Sequence, residues 1–265
     1  MSDERQLVLF ETQGRVAHIT LNRPEALNAI NPPLGAALTE AIYRFRDDPE
    51  LWVAVLTGAG NRAFSAGSDL KWRADHEDQM RKIQVGSGNE RPGLNSPGFE
   101  CWKPIIAAVN GYAVGGGLET ALACDIIVAA EHAKFGLPEP RRGLMADFGG
   151  VARLTRHVPL KVAMGMILTG KFIDAHEAYR IGLVNEVVPA ERLMEAADRW
   201  AAEIMECSPL AVQASKQAAM QGLGWPVEIA MTRNYALHQK LRNSDDFIEG
   251  PRAFAEKRKP VWKGR

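Results

Sequence analysis

The residue best placed for acid–base chemistry is Glu119, which follows three consecutive glycines in the run AVGGGLETALAC, residues 113–124. A glycine costs about 0.5–1 kcal/mol to order relative to alanine, and it is used where backbone must approach another group closely. The apolar residues that follow predict a short helix, whose first turn offers unpaired N–H donors and a partial positive charge. The run therefore predicts donors for a developing oxyanion with a carboxylate beside them. The alternative is a tight strand-to-helix turn whose glutamate faces solvent.

A second candidate is Glu139, which ends the segment FGLPE, residues 135–139, among apolar residues and prolines. Burial raises the pKa of a carboxyl group, whereas the helix N-terminus predicted at Glu119 favours the ionised form. If the two side chains share a pocket, one is biased to act as an acid and the other as a base. The alternative is a structural ion pair between Glu139 and Arg141 or Arg142.

The overall composition excludes several function classes. Lysine plus arginine and aspartate plus glutamate balance at 32 each, which leaves no electrostatic footprint for nucleic acid or for an anionic membrane. No apolar run approaches the ~20 residues of a membrane span, and the polar N-terminus shows no secretory pattern. The 3 cysteines are too few and too scattered for a disulfide framework or a zinc site. We expect a cytoplasmic protein that binds no metal.

The elements that must position these residues alternate between short buried strands and helices. Such alternation predicts an α/β fold with mostly parallel strands. The segment Leu27–Phe45 has apolar residues at helical spacing and is predicted as a helix. The predicted strands are an opening hairpin of Leu7–Glu11 and Val16–Leu21, followed by Trp52–Thr57, Pro104–Val109 and Asp125–Ala129.

The rest of the chain predicts a covering loop and a helical layer. Residues 71–99 are polar and are interpreted as a cover or functional loop. Asp174 and Glu177 have the spacing of a capping box, and Ser208-Pro209 is typical of a helix start. Helices are predicted near 190–206, 209–222, 226–242 and 245–257. Their apolar surface exceeds what a small helical layer can bury on itself, which favours an oligomer.

Ordered motifs along nearly the whole chain resemble the enoyl-CoA hydratase/isomerase family, the crotonases. The motifs are LNRPEALNAI, AFSAGSDLK, AVNGYAVGGGLETALACDIIVAA, FGLPE, LTGKFIDAHEAYRIGLVNEVVP and AFAEKRKPVWKGR. The resemblance implies a ClpP-like spiral of ββα units over residues 1–200, carrying an acyl-CoA site. It further implies a helical oligomerisation region over residues 201–265, and therefore a homotrimer or a dimer of trimers.

The same resemblance implies roles for individual residues. The backbone N–H groups of Ser68 and Gly116 would form an oxyanion hole for the thioester carbonyl of an acyl-CoA. Glu119 matches the glutamate that activates water for addition at C3, and Glu139 matches the one that delivers a proton to C2. Both roles together favour a hydratase or dehydratase over an isomerase, because double-bond migration needs one acid–base group. No cofactor is implied, since coenzyme A is part of the substrate.

Contacts to coenzyme A are implied at fewer positions. Ala66 and Leu70 lie where family members hold the adenine ring, and Lys71 lies where a lysine often meets the nucleotide. Lys257 matches a basic residue that reaches the phosphates from the C-terminal helix. Position 25 is a glutamate where some hydratases have lysine, so Arg23 is the substitute candidate, or else a solvated surface arginine.

Substrate class is the least determined property. Asp147 stands where many hydratases have glycine. It would raise some pKa values of the site carboxyls, or contact a polar or cationic acyl group, or else cap a helix ahead of Gly149-Gly150. The segments FRDDPEL, ADFGGVARL and IEGPRAFAEKRKPVWKGR also resemble the carnitinyl-CoA dehydratase branch. A crotonase-fold thioester hydrolase and a non-enzymatic RNA-binding relative are two further possibilities. A Rossmann dehydrogenase is excluded, because the glycines do not read G-x-G-x-x-G after an N-terminal strand.

Overall fold

The computed structural model describes residues 6–76, 78 and 93–265. The strands are β1 (Val8–Gln13), β2 (Val16–Leu21), β3 (Val53–Gly58), β4 (Ala63–Ser65), β5 (Ile105–Val109), β6 (Tyr112–Val114), β7 (Ile126–Ala130), β8 (Lys134–Gly136), β9 (Ile173–Asp174) and β10 (Glu186–Val188). The α-helices are α1 (Pro32–Asp47), α2 (Leu70–Asp75), α3 (Gly116–Leu122), α4 (Gly150–His157), α5 (Leu160–Thr169), α6 (Ala175–Arg180), α7 (Leu193–Met205), α8 (Pro209–Gly222), α9 (Val227–Thr232), α10 (Ala236–Arg242) and α11 (Asp245–Ala255). Short 3₁₀ helices span Pro24–Ala26, Glu139–Arg142 and Ala190–Arg192.

The larger sheet has the strand order β1-β2-β3-β5-β7-β10. Strands β1 and β2 form the predicted antiparallel hairpin, and every later pairing in this sheet is parallel. Strand β5 is buried along its whole length, as expected for a parallel strand covered on both faces. The main apolar core lies on one face, and α7 covers the other by packing against β3, β5 and β7. The predicted α/β class with mostly parallel strands is confirmed.

A smaller sheet, of order β4-β6-β8-β9, collects the short strands that follow the long ones. Its first three strands run parallel, and β9 closes the edge in the antiparallel direction. Strands β3 and β4 followed by α2, then β5 and β6 followed by α3, repeat one unit of long strand, short strand and helix. This repetition confirms the expected arrangement of ββα units.

Two helix predictions differ from the structure. Helix α1 begins at Pro32 rather than at Leu27, because Leu27 and Asn28 adopt left-handed backbone angles with φ of 53° and 52°. Asn31 caps α1 by accepting the Leu34 N–H at 3.1 Å. The helix predicted over 226–242 is two helices, α9 and α10, separated where Arg233 is extended.

Other local predictions are confirmed in whole or in part. Ser208 caps α8, with Pro209 at the first helical position. Asp174 caps α6 by accepting the Glu177 N–H, but the Glu177 carboxylate pairs with Arg180, so only half of the capping box forms. Most of the predicted cover loop, at residues 77 and 79–92, lies outside the described residues. Within the described part of the chain, no helix is long and apolar enough to cross a membrane.

Candidate active site

The site lies where three neighbouring short strands end. Strands β4, β6 and β8 are parallel neighbours, so their carboxyl ends meet at one edge of the smaller sheet. The loop after β4 carries Ser68, the turn after β6 enters α3 at Gly116, and the chain after β8 reaches Glu139. Helix α3 also carries Glu119, so the topology brings together all four residues predicted to carry out the chemistry.

Glycines allow the first two of these segments to touch. A Cβ at Gly67 would lie 2.9 Å from the Gly116 nitrogen and 2.5 Å from the Val114 carbonyl oxygen, and Gly67 has a φ of +83°. A Cβ at Gly117 would collide with the Ser65 carbonyl oxygen. At Gly67 only glycine accommodates both the backbone angle and the close approach, and at Gly117 only glycine leaves room for the Ser65 carbonyl oxygen. The close contact between the two segments therefore requires glycine at Gly67 and at Gly117, the last of the three consecutive glycines.

The N–H groups of Ser68 and Gly116 have no acceptor among the described residues. A Cβ at Gly116 would lie 3.6 Å from the Ser68 nitrogen and 3.8 Å from Glu119 Oε2. The space beside Gly116 is therefore bordered by a backbone donor on one side and a carboxylate on the other. A carbonyl oxygen placed there would meet hydrogen-bond donors with an acid–base group close by.

Glu119 is buried, with 3% of its surface exposed, which excludes the alternative of a solvent-facing glutamate. Its Oε1 atom accepts the Gly150 N–H at 2.9 Å, across the contact between α3 and α4. Burial raises the pKa of Glu119 to about 7, helped by the negative charges of Glu139 and Asp147 and opposed by the N–H groups of Gly150 and Phe148. Although a helix N-terminus favours the ionised form, desolvation outweighs it here, so Glu119 has a raised pKa rather than the lowered one that its place in the helix predicts.

Glu139 shares this pocket at the start of its 3₁₀ helix. Its Oε1 would lie 2.7 Å from a Cβ at Gly115, and its buried Oε2 has no hydrogen-bond partner among the described residues. Burial raises the pKa of Glu139, and the charge of Arg142 lowers it only partly. Arg141 instead donates to the Thr169 carbonyl oxygen at 2.7 Å. The structure does not support the alternative of a structural ion pair.

Asp147 is exposed on the loop that covers Glu119. Its negative charge raises the pKa of both site glutamates, so it lies within electrostatic reach of the pair. The alternative of a helix cap is wrong, because α4 begins after Gly149, which has a φ of 102° and no side-chain cap. The backbone donor at Gly150 was missed from sequence, although the Gly149-Gly150 pair marked a close approach.

The residues implied for coenzyme A binding divide into two places. Ala66, Leu70 and Lys71 lie together at the start of α2, with Leu70 42% exposed and Lys71 exposed. Lys257 is exposed beyond α11, which packs against α10 and the C-terminal tail. Nothing within the described chain brings Lys257 to the other three.

Arg23 is held by hydrogen bonds at one of its guanidinium nitrogens. Its Nη1 atom donates to the Ala29 carbonyl oxygen at 2.7 Å and to Asp69 Oδ2 at 3.1 Å. Both charged side chains are largely buried, at 18% and 14% exposure. The expectation that Arg23 replaces a phosphate-binding lysine stays a prediction, but Nη1 already has two partners, Ala29 in its own segment and Asp69 in the loop that carries Ser68. Asp69 was missed from sequence, although its place before α2 is typical of an N-cap.

The chain belongs to the enoyl-CoA hydratase/isomerase family, whose model matches residues 11–265. It is 46% identical to the (E)-benzylidenesuccinyl-CoA hydratase of Thauera aromatica, over 97% of this chain and 99% of the relative. It is 45% identical to the carnitinyl-CoA dehydratase of Citrobacter koseri, over 97% of this chain and 98% of the relative. These relatives confirm the resemblance inferred from the motifs, including the dehydratase branch, and the prediction of a lyase.

Solved structures confirm the predicted crotonase fold. The enoyl-CoA hydratase of Mycobacterium tuberculosis superimposes with a TM-score of 0.88 at 39% identity, over 98% of this chain and 100% of the other. The enoyl-CoA hydratase of Bacillus anthracis gives a TM-score of 0.90 at 34% identity, with the same coverage.

Proposed function

We propose that the protein adds water reversibly across the 2,3 double bond of a trans-2-enoyl-CoA. The observation that carries this proposal is a pair of glutamates, Glu119 buried and Glu139 half-buried, which both have a raised pKa and lie beside two backbone N–H groups that have no acceptor among the described residues. Water addition needs a base for the water, an acid for C2 and donors for the thioester oxygen. The site offers one group for each of these needs.

The N–H groups of Ser68 and Gly116 would receive the thioester carbonyl oxygen. Negative charge grows on this oxygen when water attacks C3, and fixed donors stabilise it without reorganisation. Loss of one such donor typically costs about 2.7–4 kcal/mol of transition-state stabilisation. Since the hole is built from backbone, its geometry depends on Gly67 and Gly117 rather than on a removable side chain.

In the proposed step, ionised Glu119 takes a proton from water while the water oxygen bonds to C3. The electron pair of the double bond moves toward the carbonyl, and C2 receives the proton of neutral Glu139. The negative charge of Glu139 raises the pKa of Glu119, so the protonation states of the two carboxyls are coupled, and the reactive form is the one in which their single proton lies on Glu139. Proton exchange with solvent restores the starting state, and the reverse sequence is dehydration.

A second candidate is dehydration of a β-hydroxyacyl-CoA with a cationic acyl group, as in carnitinyl-CoA. The observation that favours it is the exposed carboxylate of Asp147 beside the two site glutamates. A positive head group there would gain Coulomb attraction from Asp147, and it would lower the pKa values that Asp147 raises. The carnitinyl-CoA dehydratases among the relatives support the same candidate.

The test compares crotonyl-CoA, a long-chain enoyl-CoA and crotonobetainyl-CoA with the purified protein. Loss of the ultraviolet absorbance of the conjugated thioester measures hydration, and a thiol reagent measures released coenzyme A. Hydration without thiol release supports the proposal, and crotonobetainyl-CoA as the best substrate supports the second candidate. Thiol release instead of hydration would show a thioester hydrolase. No turnover of any substrate would contradict the proposal and favour a non-enzymatic, RNA-binding role.

We further propose a homotrimer or a dimer of trimers, located in the cytoplasm, that binds neither nucleic acid nor membrane. Large apolar side chains on α8, α9 and α11, or directly after them, are exposed in the single chain, among them Met220, Leu223, Val227, Met231 and Phe254. Contact between copies would cover them, with residues 201–265 as the oligomerisation region beside a core of residues 1–200. A neighbouring copy would also supply the Lys257 that the single chain leaves apart from the nucleotide residues. Coenzyme A would enter as part of the substrate, with no separate cofactor.

A further inference from the structure

The orientation of the Ser68 N–H is set by a segment far away in sequence, residues 23–31. The Ile30 N–H donates to the Gly67 carbonyl oxygen at 2.7 Å, and the Asp69 N–H donates to the Ile30 carbonyl oxygen at 2.9 Å. These two bonds hold the residues on either side of Ser68, as in a single parallel bridge. The Ser68 N–H takes no part in the bridge and is left for a ligand.

The segment that makes this bridge is itself held in a costly conformation. Leu27 and Asn28 both have positive φ, which side-chain-bearing residues adopt rarely. Asn28 is fully buried and donates to the Ala59 and Ala63 carbonyl oxygens at 3.1 and 2.8 Å. It also accepts the Arg23 N–H at 3.0 Å. Such a conformation persists where surrounding contacts over-determine it.

Arg23 connects the segment to the loop with one guanidinium nitrogen. Nη1 donates to Ala29 on the segment and to Asp69 on the loop, so the guanidinium joins the two strands of the bridge. Asp69 also accepts the Trp72 N–H at 3.1 Å and so caps α2. Although burial opposes ionisation, the hydrogen bonds from Trp72 and Arg23 lower the pKa of Asp69, which keeps the ion pair intact at neutral pH.

We propose that Arg23 is a positioning residue that acts through Asp69 to aim the Ser68 N–H at the thioester carbonyl oxygen. This inference rests on the proposed function of the site. It assigns the arginine to the oxyanion hole and not to the coenzyme A phosphates. Because Arg23 contacts the loop and not the reacting atoms, its loss leaves both glutamates in place and weakens carbonyl polarisation.

The test uses Arg23→Met, Arg23→Lys and Asp69→Asn in the full chain. Arg15→Met is the matched control, since Arg15 pairs with Glu50 and stacks on Trp52 away from the loop. Each protein is assayed with an enoyl-CoA and with the matching enoyl-pantetheine thioester, which lacks the nucleotide phosphates. The carbonyl stretching frequency of a bound, ¹³C-labelled saturated acyl-CoA is measured in parallel, because this ligand cannot be hydrated.

For Arg23→Met we expect kcat to fall about ten- to hundredfold, less than the roughly 10²- to 10³-fold loss on removal of an oxyanion donor, because the Ser68 N–H is misaimed but still present. The loss is the same with both thioesters, and the carbonyl frequency moves back toward that of free ligand. Arg23→Lys restores part of the loss, and Arg15→Met matches wild type. Asp69→Asn keeps an oxygen to cap α2 and shows the same direction of change, which keeps the test decisive if Arg23→Met does not fold.

A raised KM that appears with the coenzyme A thioester and vanishes with the pantetheine thioester would overturn the inference and return Arg23 to phosphate binding. An unchanged carbonyl frequency in Arg23→Met and Asp69→Asn would also overturn it. Failure of the proposed function is distinguishable: wild type then hydrates neither thioester, while the frequency of the bound saturated ligand still reports on the hole. A wild-type frequency equal to that of free ligand would refute the hole itself and the positioning role with it.

Discussion

The Glu119→Gln variant removes an ionisable group but keeps a side-chain oxygen that can accept the Gly150 N–H bond. If Glu119 is the base for water, kcat falls at least about a hundredfold, which is about 2.7 kcal/mol of lost transition-state stabilisation. With a pKa of about 7, the wild-type carboxylate is mostly ionised at pH 8 and mostly protonated at pH 6. The ionised fraction of Glu119 therefore drops roughly tenfold over this range, and at a given protonation of Glu139 the ratio of wild type to variant shrinks from about a hundred to about ten.

The same substitution has the opposite effect on folding. Since the pKa of Glu119 is about 7 in the folded chain against an ordinary 4.5, the folded state binds a proton more tightly between these values. Stability therefore falls as pH rises from 4.5 to 7, and above pH 7 the ionised carboxylate costs the folded state up to about 3 kcal/mol. Glutamine escapes this cost. We expect Glu119→Gln to be more stable than wild type at pH 8 and close to it at pH 4.5.

Two measurements check these effects together. Hydration of crotonyl-CoA is followed at pH 6 and pH 8, and the free energy of unfolding is obtained from urea titrations at pH 5 and pH 8. Glu131→Gln, on the exposed turn between β7 and β8, is the control and is expected to change neither quantity. Activity of Glu119→Gln within tenfold of wild type at pH 8 would refute its role as base. A variant no more stable than wild type at pH 8 would refute the burial of a costly charge.

Further outcomes follow from the remaining site residues. Asp147→Asn is expected to shift the acid limb of the pH–rate profile to lower pH, because removal of its charge lowers the pKa of Glu119. It is also expected to reduce any preference for crotonobetainyl-CoA. If both the profile and the preference stay unchanged, Asp147 does not belong to the site. Lys257→Ala is expected to raise KM for acyl-CoA at constant kcat, whereas Lys259→Ala does not; an unmoved KM would refute the phosphate contact. Phe254→Asp, at a side chain 87% exposed in the single chain, is expected to weaken assembly, and light scattering of the wild type at 29.1 kDa with full activity would refute the oligomer.

The sequence was sufficient for the elements whose signals are local. The long strands fall within about a residue or two of their predicted bounds, because buried β-rich runs end at glycine or asparagine turns. Parallel pairing then forces the ends of neighbouring strands to one edge, so the meeting of Ser68, Gly116, Glu119 and Glu139 follows from the order of the motifs. The helix predicted from Leu27 failed because its apolar spacing continues into residues that long-range contacts hold at positive φ.

The pKa values of the site carboxyls could not be predicted from the local sequence either, because they too depend on long-range contacts. From the sequence, Glu119 is a carboxylate at a helix start, which favours its charge. In the fold, α4 and the loop before it close over that helix start, so the cost of desolvation exceeds the gain from the N–H groups of Gly150 and Phe148. Asp147, on the same loop, adds a negative charge beside two glutamates. The pKa of Glu119 near neutral pH is thus set by α4 and the loop before it, which come later in the chain. The loop that excludes water from Glu119 also sets its pKa.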